Sequence, residues 1–531
     1  MSLARAIATV GGITMVSRVA GFIRDSLMAR YLGAGPEADA FFVAFRLPNL
    51  FRSLFAEGAF TAAFLPLFSK ELHGHGKPHA QRLAEEALAV MVTALLGFSI
   101  LMALAMPVVV AVLASGFTDD PDQFKLAISL SHITFPYLAL ISLTALLGSI
   151  LNALGKFGPF AAAPILLNLV QITGLLLSGP LGIPAHIMLA YGVPVAGLAQ
   201  LIWMAVACHR AGMDLRLRRP TLTPGVRKLF ALLAPGILGA GVYQFNLLIG
   251  TNLASWLPTG AVSYLQYADR LNQLPMAVIG VAVGTALLPV LSRKVQDGDR
   301  SGIRDTLSRG LEFAALLGLP ATAALMVMPG PIIQVVFQGG AFTAEATAAT
   351  AAALQAYAIG IPAFITAKVL SAAFFARQDT KAPVRFAIIV LVSNVLLSLA
   401  LIGPLGHVGL ALAPGLTAWL NVALLAWGLH RRGQLDLDRR LWSRLWRTLV
   451  AVAGMVGVIL AALSLLDRFL SGRPILVEVA ALGTVIVLAV LTYFSLCALT
   501  GAARPAEVKA LMRRPRNGGG TPVASTPGMP E

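Results

Sequence analysis

Charge is scarce in this 531-residue chain: only 12% of its residues are Asp, Glu, Lys or Arg, against about 25% in an average soluble domain. That shortage excludes a disordered chain, which needs charge and few apolar residues. It also excludes an ordinary soluble multidomain enzyme. Cysteine is scarcer still, with Cys208 and Cys497 alone, too few for a disulfide framework. Catalytic signatures are missing as well. There is no GxxxxGK[ST] phosphate loop, no HExxH zinc helix and no GxSxG nucleophile elbow. The chain is therefore not expected to be an enzyme. What is abundant is apolar: 57% of the residues, with a mean hydropathy of +0.80. This composition points to an all-α polytopic membrane protein.

Fourteen helical spans are expected: 4–31, 36–72, 82–115, 123–153, 158–178, 185–208, 225–256, 260–292, 302–328, 344–376, 382–402, 407–430, 442–466 and 475–500. Arg18 and Arg24 interrupt the first apolar stretch, so it reads as a span rather than a cleavable signal. The net charge of +16 would suggest nucleic acid in a soluble protein. Here the basic residues have another explanation. When turns are placed alternately on two sides, one side receives 30 of the 40 Lys and Arg, and the other only Arg468 and Arg473. By the positive-inside rule both termini face the cytoplasm. No nucleic-acid partner is expected. Residues 503–531 form a tail whose end is rich in Gly, Pro, Ser and Thr, the composition of a disordered segment.

The first twelve spans contain a repeat. Leu65-Pro66-x-x-Ser69-Lys70 ends the second span, and Leu288-Pro289-x-x-Ser292-Arg293 ends the eighth, 223 residues later. Pro136 matches Pro362 and Asn168 matches Asn394, both at an offset of 226. Six spans per unit place both copies the same way up, an arrangement in which two lobes rock around a shared site. The expected division is an N-lobe at 1–210, a C-lobe at 211–432 and two extra helices at 433–502.

Eight basic residues remain inside spans; Arg30 and Lys125 lie near helix ends and can snorkel to the interface, which leaves Arg18, Arg24, Arg46, Arg52, Arg270 and Lys368. Each costs about 2.5–3.5 kcal/mol at a helix centre. Only four acids accompany them: Asp25, Asp39, Glu57 and Asp269. Four of the six cations lie in the first two spans, so a cationic cavity weighted toward the first lobe is expected. Arginine suits phosphate, because its planar fork donates two hydrogen bonds at once. At 100° per residue, Asp39, Arg46 and Glu57 fall within about 20° of one line and could form an internally paired stripe. Arg52 lies about 140° away unless Pro48 bends the helix, and Gly21 offers a similar bend between Arg18 and Arg24. Two readings stand together: the acids neutralise neighbouring arginines, or the cations await an anionic ligand.

Other clusters read blandly. Asp119-Asp120-Pro121-Asp122 resembles half of a diphosphate–metal motif but lacks a second cluster. His73, His75 and His79 lie in a basic turn without metal-ligand spacing. No metal or cofactor is expected.

Several stretches resemble the MurJ (MviN) family of lipid II flippases in the multidrug/oligosaccharidyl-lipid/polysaccharide exporter superfamily. Ser17–Asp25 resembles the family's first helix. Asp39-Ala40-Phe41-Phe42-Val43-Ala44-Phe45-Arg46-Leu47-Pro48-Asn49-Leu50-Phe51-Arg52, followed by Phe55–Phe60, resembles its second. Tyr267-Ala268-Asp269-Arg270-Leu271 and Arg377–Pro383 resemble second-lobe signatures. The resemblance implies two six-helix lobes around a central cavity, with helices 13 and 14 forming a groove for a polyprenyl tail. It also implies a headgroup site at Arg18, Arg24, Arg52 and Arg270, with Asp25, Asp39 and Asn49 nearby. Together with Arg46, Glu57 and Asp269 from the charge analysis, these are the candidate substrate-binding residues. The implied substrate is lipid II, an undecaprenyl-diphosphate disaccharide-pentapeptide, moved across the bacterial inner membrane by alternating access. Cell-wall synthases are the implied protein partners, and a monomer is the default state.

Two positions depart from the family. Gln273 stands where relatives can carry an acid. Where some relatives build a sodium site with carboxylates, this chain offers Asn246, Asn252, Asn394 and Ser398. This argues against sodium coupling and favours membrane potential as the drive, at about 2.3 kcal/mol per charge per 100 mV. The rival expectations are a flippase for another polyprenyl-diphosphate glycan, a drug/cation antiporter of the same superfamily, and a non-transporting scaffold for cell-wall enzymes.

Overall fold

The structure is a computed structural model that describes residues 3–54, 60–470 and 474–503. Glu57 and the tail beyond residue 503 lie outside these residues. The described chain is helical almost throughout. The first half comprises α1 (Leu3–Leu32), α2 (Pro36–Leu54), α3 (Phe60–Gly74), α4 (Lys77–Leu104), α5 (Met106–Leu113), α6 (Pro121–Thr134), α7 (Tyr137–Ala153), α8 (Gly158–Leu181) and α9 (Ala185–Arg210). The second comprises α10 (Pro224–Ser255), α11 (Ala261–Gln296), α12 (Arg300–Val327), α13 (Pro329–Phe337), α14 (Ala344–Ala358), α15 (Ile361–Phe375) and α16 (Lys381–Arg431). Two more follow, α17 (Arg439–Leu470) and α18 (Ile475–Thr500). Among the described residues, nine helical stretches are long and apolar enough to cross a membrane. The chain is a multi-pass membrane protein. The other expected spans, at 4–31, 36–72, 225–256 and 260–292, are also helical, and three of these four carry the in-span arginines.

Several expected spans prove to be two helices, and proline explains most of the breaks. Pro107 opens α5, Pro136 separates α6 from α7, Pro329 opens α13 and Pro362 opens α15. Each lacks the N–H that a continuous helix would donate backward. The reverse holds at residues 381–431, where two expected spans join into α16 across Gly406. Its backbone (φ 54°, ψ −132°) is one that residues with a side chain rarely adopt. The acidic Asp119–Asp122 turn is a helix start. Asp120 Oδ1 accepts from the amides of Asp122 (3.1 Å) and Gln123 (3.2 Å), which satisfies two orphan donors of α6.

Helix packing repeats as the sequence offsets predict. α1 packs on α8 as α10 packs on α16; α2 on α6 as α11 on α14; α3 on α7 as α11 on α15; α7 on α9 as α15 on α16. The Pro136 break thus has its counterpart at Pro362, and Asn168 in α8 has its counterpart in Asn394 of α16. Outside this pattern, α17 and α18 pack on each other and reach the rest through α12 and α13, around their own apolar cluster of Ile459, Val485 and Tyr493.

Candidate functional site

Several of the in-span charges converge where the two halves meet. Arg24 and Asp25 project from α1, Arg46 and Asn49 from α2, and Arg270 from α11. Arg24 is buried, and its fork is fully engaged. Nε and Nη2 donate to Asp25 Oδ1 (3.0 and 2.6 Å), while Nη1 donates to Asn168 Oδ1 at 3.0 Å. Asn168 in turn donates to the Ser17 carbonyl (3.0 Å). Asp25 also faces the second half, with its other oxygen 3.5 Å from Arg270 Nε. One carboxylate therefore links two guanidiniums across the interface. Arg46 Nε donates to Thr251 Oγ1 of α10 (3.1 Å), and Arg52 Nε to Asn49 Oδ1 (3.2 Å).

Some of these groups border a narrow cleft with an enclosed volume of about 20 Å³. It is lined by Arg24, Arg46, Arg270, Asn49, Gln171 and Gln266 and floored by Met28, Phe41, Phe42 and Phe45. Asp269, one residue before Arg270, accepts from Gln273 Nε2 at 2.5 Å and lies within electrostatic reach of Arg270 and Arg46. Three arginines thus line the cleft, with the two carboxylates of Asp25 and Asp269 beside them, so positive charge is in excess there. Arg270 is held more loosely than Arg24. Its contact with Asp25 is long and its side chain is 37% exposed, whereas Arg24 is locked in place.

One expectation needs revision. Asp39 does not pair with Arg46 in a stripe along α2. It is 2% exposed and caps the start of α11, accepting from Gly260 N (2.6 Å), Ser263 N (2.8 Å) and Ser263 Oγ (2.5 Å). A buried carboxylate takes the donors that satisfy it, and the first turn of α11 supplies three. Helix α1 runs without a break through Gly21, and Asn168 packs beside that glycine at a distance that would also admit a Cβ. The Arg377–Pro383 signature is outside the cleft lining. There Asp379 caps α16 through the amides of Lys381 and Ala382 (both 3.1 Å) and takes a hydrogen bond from Arg432. That bond is the main reason its carboxyl sits below the usual range. Arg18 is exposed on α1, outside the cleft lining, and Glu57 lies outside the described residues.

The cleft is shut at the end where the turns carry few basic residues. Arg24 lies eight residues before the end of α1 and Arg270 nine after the start of α11, so the cleft sits about 12–14 Å below that end at 1.5 Å per residue. Several contacts seal it besides the Asp39 cap. Tyr267 Oη donates to Gly33 O (3.1 Å), Ala341 N to Arg30 O (2.7 Å), Trp256 Nε1 to Ser115 Oγ (2.8 Å) and Asn252 Nδ2 to Val112 O (2.8 Å). Each joins the first half to the second. Gly33 (φ +70°) is required there, since a Cβ would stand 2.6 Å from Ala341 O.

Sequence reasoning missed Thr251, Ser263, Gln171 and Gln266 as site or closure residues. Their only signal is polarity within apolar helices. Where some relatives carry carboxylates, Asn394 Nδ2 donates to Asn246 Oδ1 (2.7 Å), and Thr417 Oγ1 to Asn394 Oδ1 (3.4 Å). Among the described residues, no group of three or more His, Cys, Asp and Glu could hold a metal ion.

Comparison with known proteins agrees with this arrangement. A family model described as "Lipid II flippase MurJ" matches residues 28–478. A Rhizobium tropici protein named "Probable lipid II flippase MurJ" is 42% identical over 521 residues, covering 97% of this chain and 98% of that one. A Burkholderia cenocepacia "Lipid II flippase MurJ" is 38% identical, covering 85% and 88%. Among solved structures, "Lipid II flippase MurJ, inward closed conformation" aligns with a TM-score of 0.76 at 25% identity, over 95% of this chain and 99% of that one. An inward-facing MATE-family transporter aligns at 0.67 and 16% identity, over 80% and 98%, a likeness of fold alone. With a family match over most of its length and relatives alike nearly from end to end, the chain belongs to the MurJ family of lipid II flippases.

Proposed function

We propose that this protein carries lipid II from the cytoplasmic to the outer leaflet of the bacterial inner membrane by alternating access. The observation that carries the reading is the cationic cleft between two repeated halves, with Arg270 loosely held and facing it. In this account the chain crosses the membrane fourteen times with both termini cytoplasmic. Residues 1–210 and 211–432 rock as lobes, and 433–502 guide the polyprenyl tail. The closed, arginine-poor end is then the outer face. A diphosphate entering from the cytoplasm supplies negative oxygens that compete with Asp25 for Arg270 and draw the halves together. Opening outward breaks the Asp39 cap and the Tyr267–Gly33 contact. The cleft's enclosed volume is about 20 Å³, room for about one water molecule. A disaccharide-pentapeptide needs more, so the state described is contracted and must widen to load.

Membrane potential is the proposed drive. An emptied cleft with excess positive charge is drawn back toward the negative inside, at about 2.3 kcal/mol per charge per 100 mV. The arginine excess favours an anionic cargo over the cationic drugs of an antiporter. The test uses cells depleted of the protein and complemented with wild type or Arg270→Ala at equal level. Lipid II exposure is read with a lipid-II-cleaving probe confined outside the inner membrane. Exposure restored by wild type and lost in the variant supports the reading. Exposure that persists without the protein removes it and leaves the scaffold or another cargo.

A further inference from the structure

Gln171 is the residue of the cleft that the fold leaves unexplained. It lies on α8 one turn beyond Asn168 and is 1% exposed. It lines the cleft beside Arg24, Arg46 and Arg270. Its Nε2 makes no hydrogen bond with any described residue. Nearby amides differ. Asn168 is satisfied on both sides, by Arg24 and by the Ser17 carbonyl, and Gln200, whose Oε1 has no partner among the described residues, still donates its Nε2 to the Ala163 carbonyl at 2.8 Å. A buried donor without an acceptor destabilises a fold, and α8 offers no structural compensation at this position.

The surroundings specify the missing acceptor. Guanidiniums from α1, α2 and α11 border the same small space, so a group resting there is held by positive charge on several sides. An uncharged amide donor among them completes a cradle for an oxygen that carries negative charge. We infer that Gln171 donates its side-chain N–H to a diphosphate oxygen of the substrate, making it a positioning residue for the headgroup anchor. The inference rests on the polyprenyl-diphosphate reading above and deepens it, by assigning one neutral donor to the diphosphate rather than to the sugar or peptide.

The test uses the full chain in lipid nanodiscs, with lipid II and undecaprenyl diphosphate as separate probes. Gln171→Leu keeps the approximate volume and deletes the amide. The expected result is roughly ten- to hundredfold weaker affinity for both probes, the range for losing one hydrogen bond to a charged group. The melting temperature should stay the same or rise, since the variant also removes an unsatisfied buried donor. Gln171→Glu, which places a carboxylate opposite the diphosphate, should bind no better than the leucine variant. Affinity within twofold of wild type in Gln171→Leu overturns the inference. So does a loss confined to lipid II, which would mean the amide reads the sugar-peptide, and so does a parallel fall in affinity and melting temperature, which would mark a structural role. Wild type that binds neither probe is a different failure: it removes the flippase reading, and this inference with it.

Discussion

Replacing Asp39 with alanine should unlock the outer face. Asp39 holds the first turn of α11 through three hydrogen bonds of 2.5–2.8 Å. A hydrogen bond to a charged group is worth about 1.5–3 kcal/mol, and three that share one carboxylate do not add. A net loss of about 3 kcal/mol is the reasonable figure, because the released amide and hydroxyl meet water once the end opens. At 1.4 kcal/mol per decade this raises the outward-open fraction about a hundredfold. The assay is thiol labelling. Met28 borders the cleft below the closure, and both native cysteines are buried. In a Met28→Cys background, a membrane-impermeant maleimide added outside should label the Asp39→Ala variant about a hundred times faster while the open state stays rare. Ser263→Ala, which removes only the hydroxyl bond, should give a smaller gain, of order tenfold. Labelling of Asp39→Ala at the parental rate would show that the cap does not hold the closure, and the assignment of this end as the outer gate would fall.

Other consequences concern charge. Asp25→Ala leaves Arg24 and Arg270 facing each other without their shared carboxylate; breaking a buried pair costs about 3–5 kcal/mol, so the purified variant should melt at a clearly lower temperature, and an unchanged melting curve would refute the central role of Asp25. Asp379 tests the other end. Its carboxyl is held below the ordinary value of 3.8, chiefly by Arg432, so its contribution to stability is present above that pH and is lost as pH falls through the lowered folded value. In detergent, Asp379→Asn should therefore be less stable than wild type near pH 6 and approach it below about pH 4, and a difference independent of pH would refute the ion-pair account.

Much of this protein was legible in its sequence because the membrane enforces simple rules. Apolar runs must become helices, since lipid offers no partner for backbone N–H and C=O. A cation in an apolar helix needs a reason, and three of the in-span arginines line one cleft. The repeat was visible in Pro136 and Pro362, which break equivalent helices, and in Asn168 and Asn394, which join equivalent pairs.

Sequence spacing could not say which partner each charge would choose. On a helical wheel Asp39 aligned with Arg46, yet the folded chain gives it the amides of α11, which begins 221 residues later. Asp25 became a bridge only because α11 carries Arg270 to the opposite wall. Gln171 looked like one more polar residue in an apolar helix until burial showed that nothing answers its amide. Composition and periodicity determine helix, membrane and the sign of the cavity, because those depend on each segment and its solvent. Pairing, closure and the open valence of the cleft depend on which helices meet, and only the tertiary structure decides that.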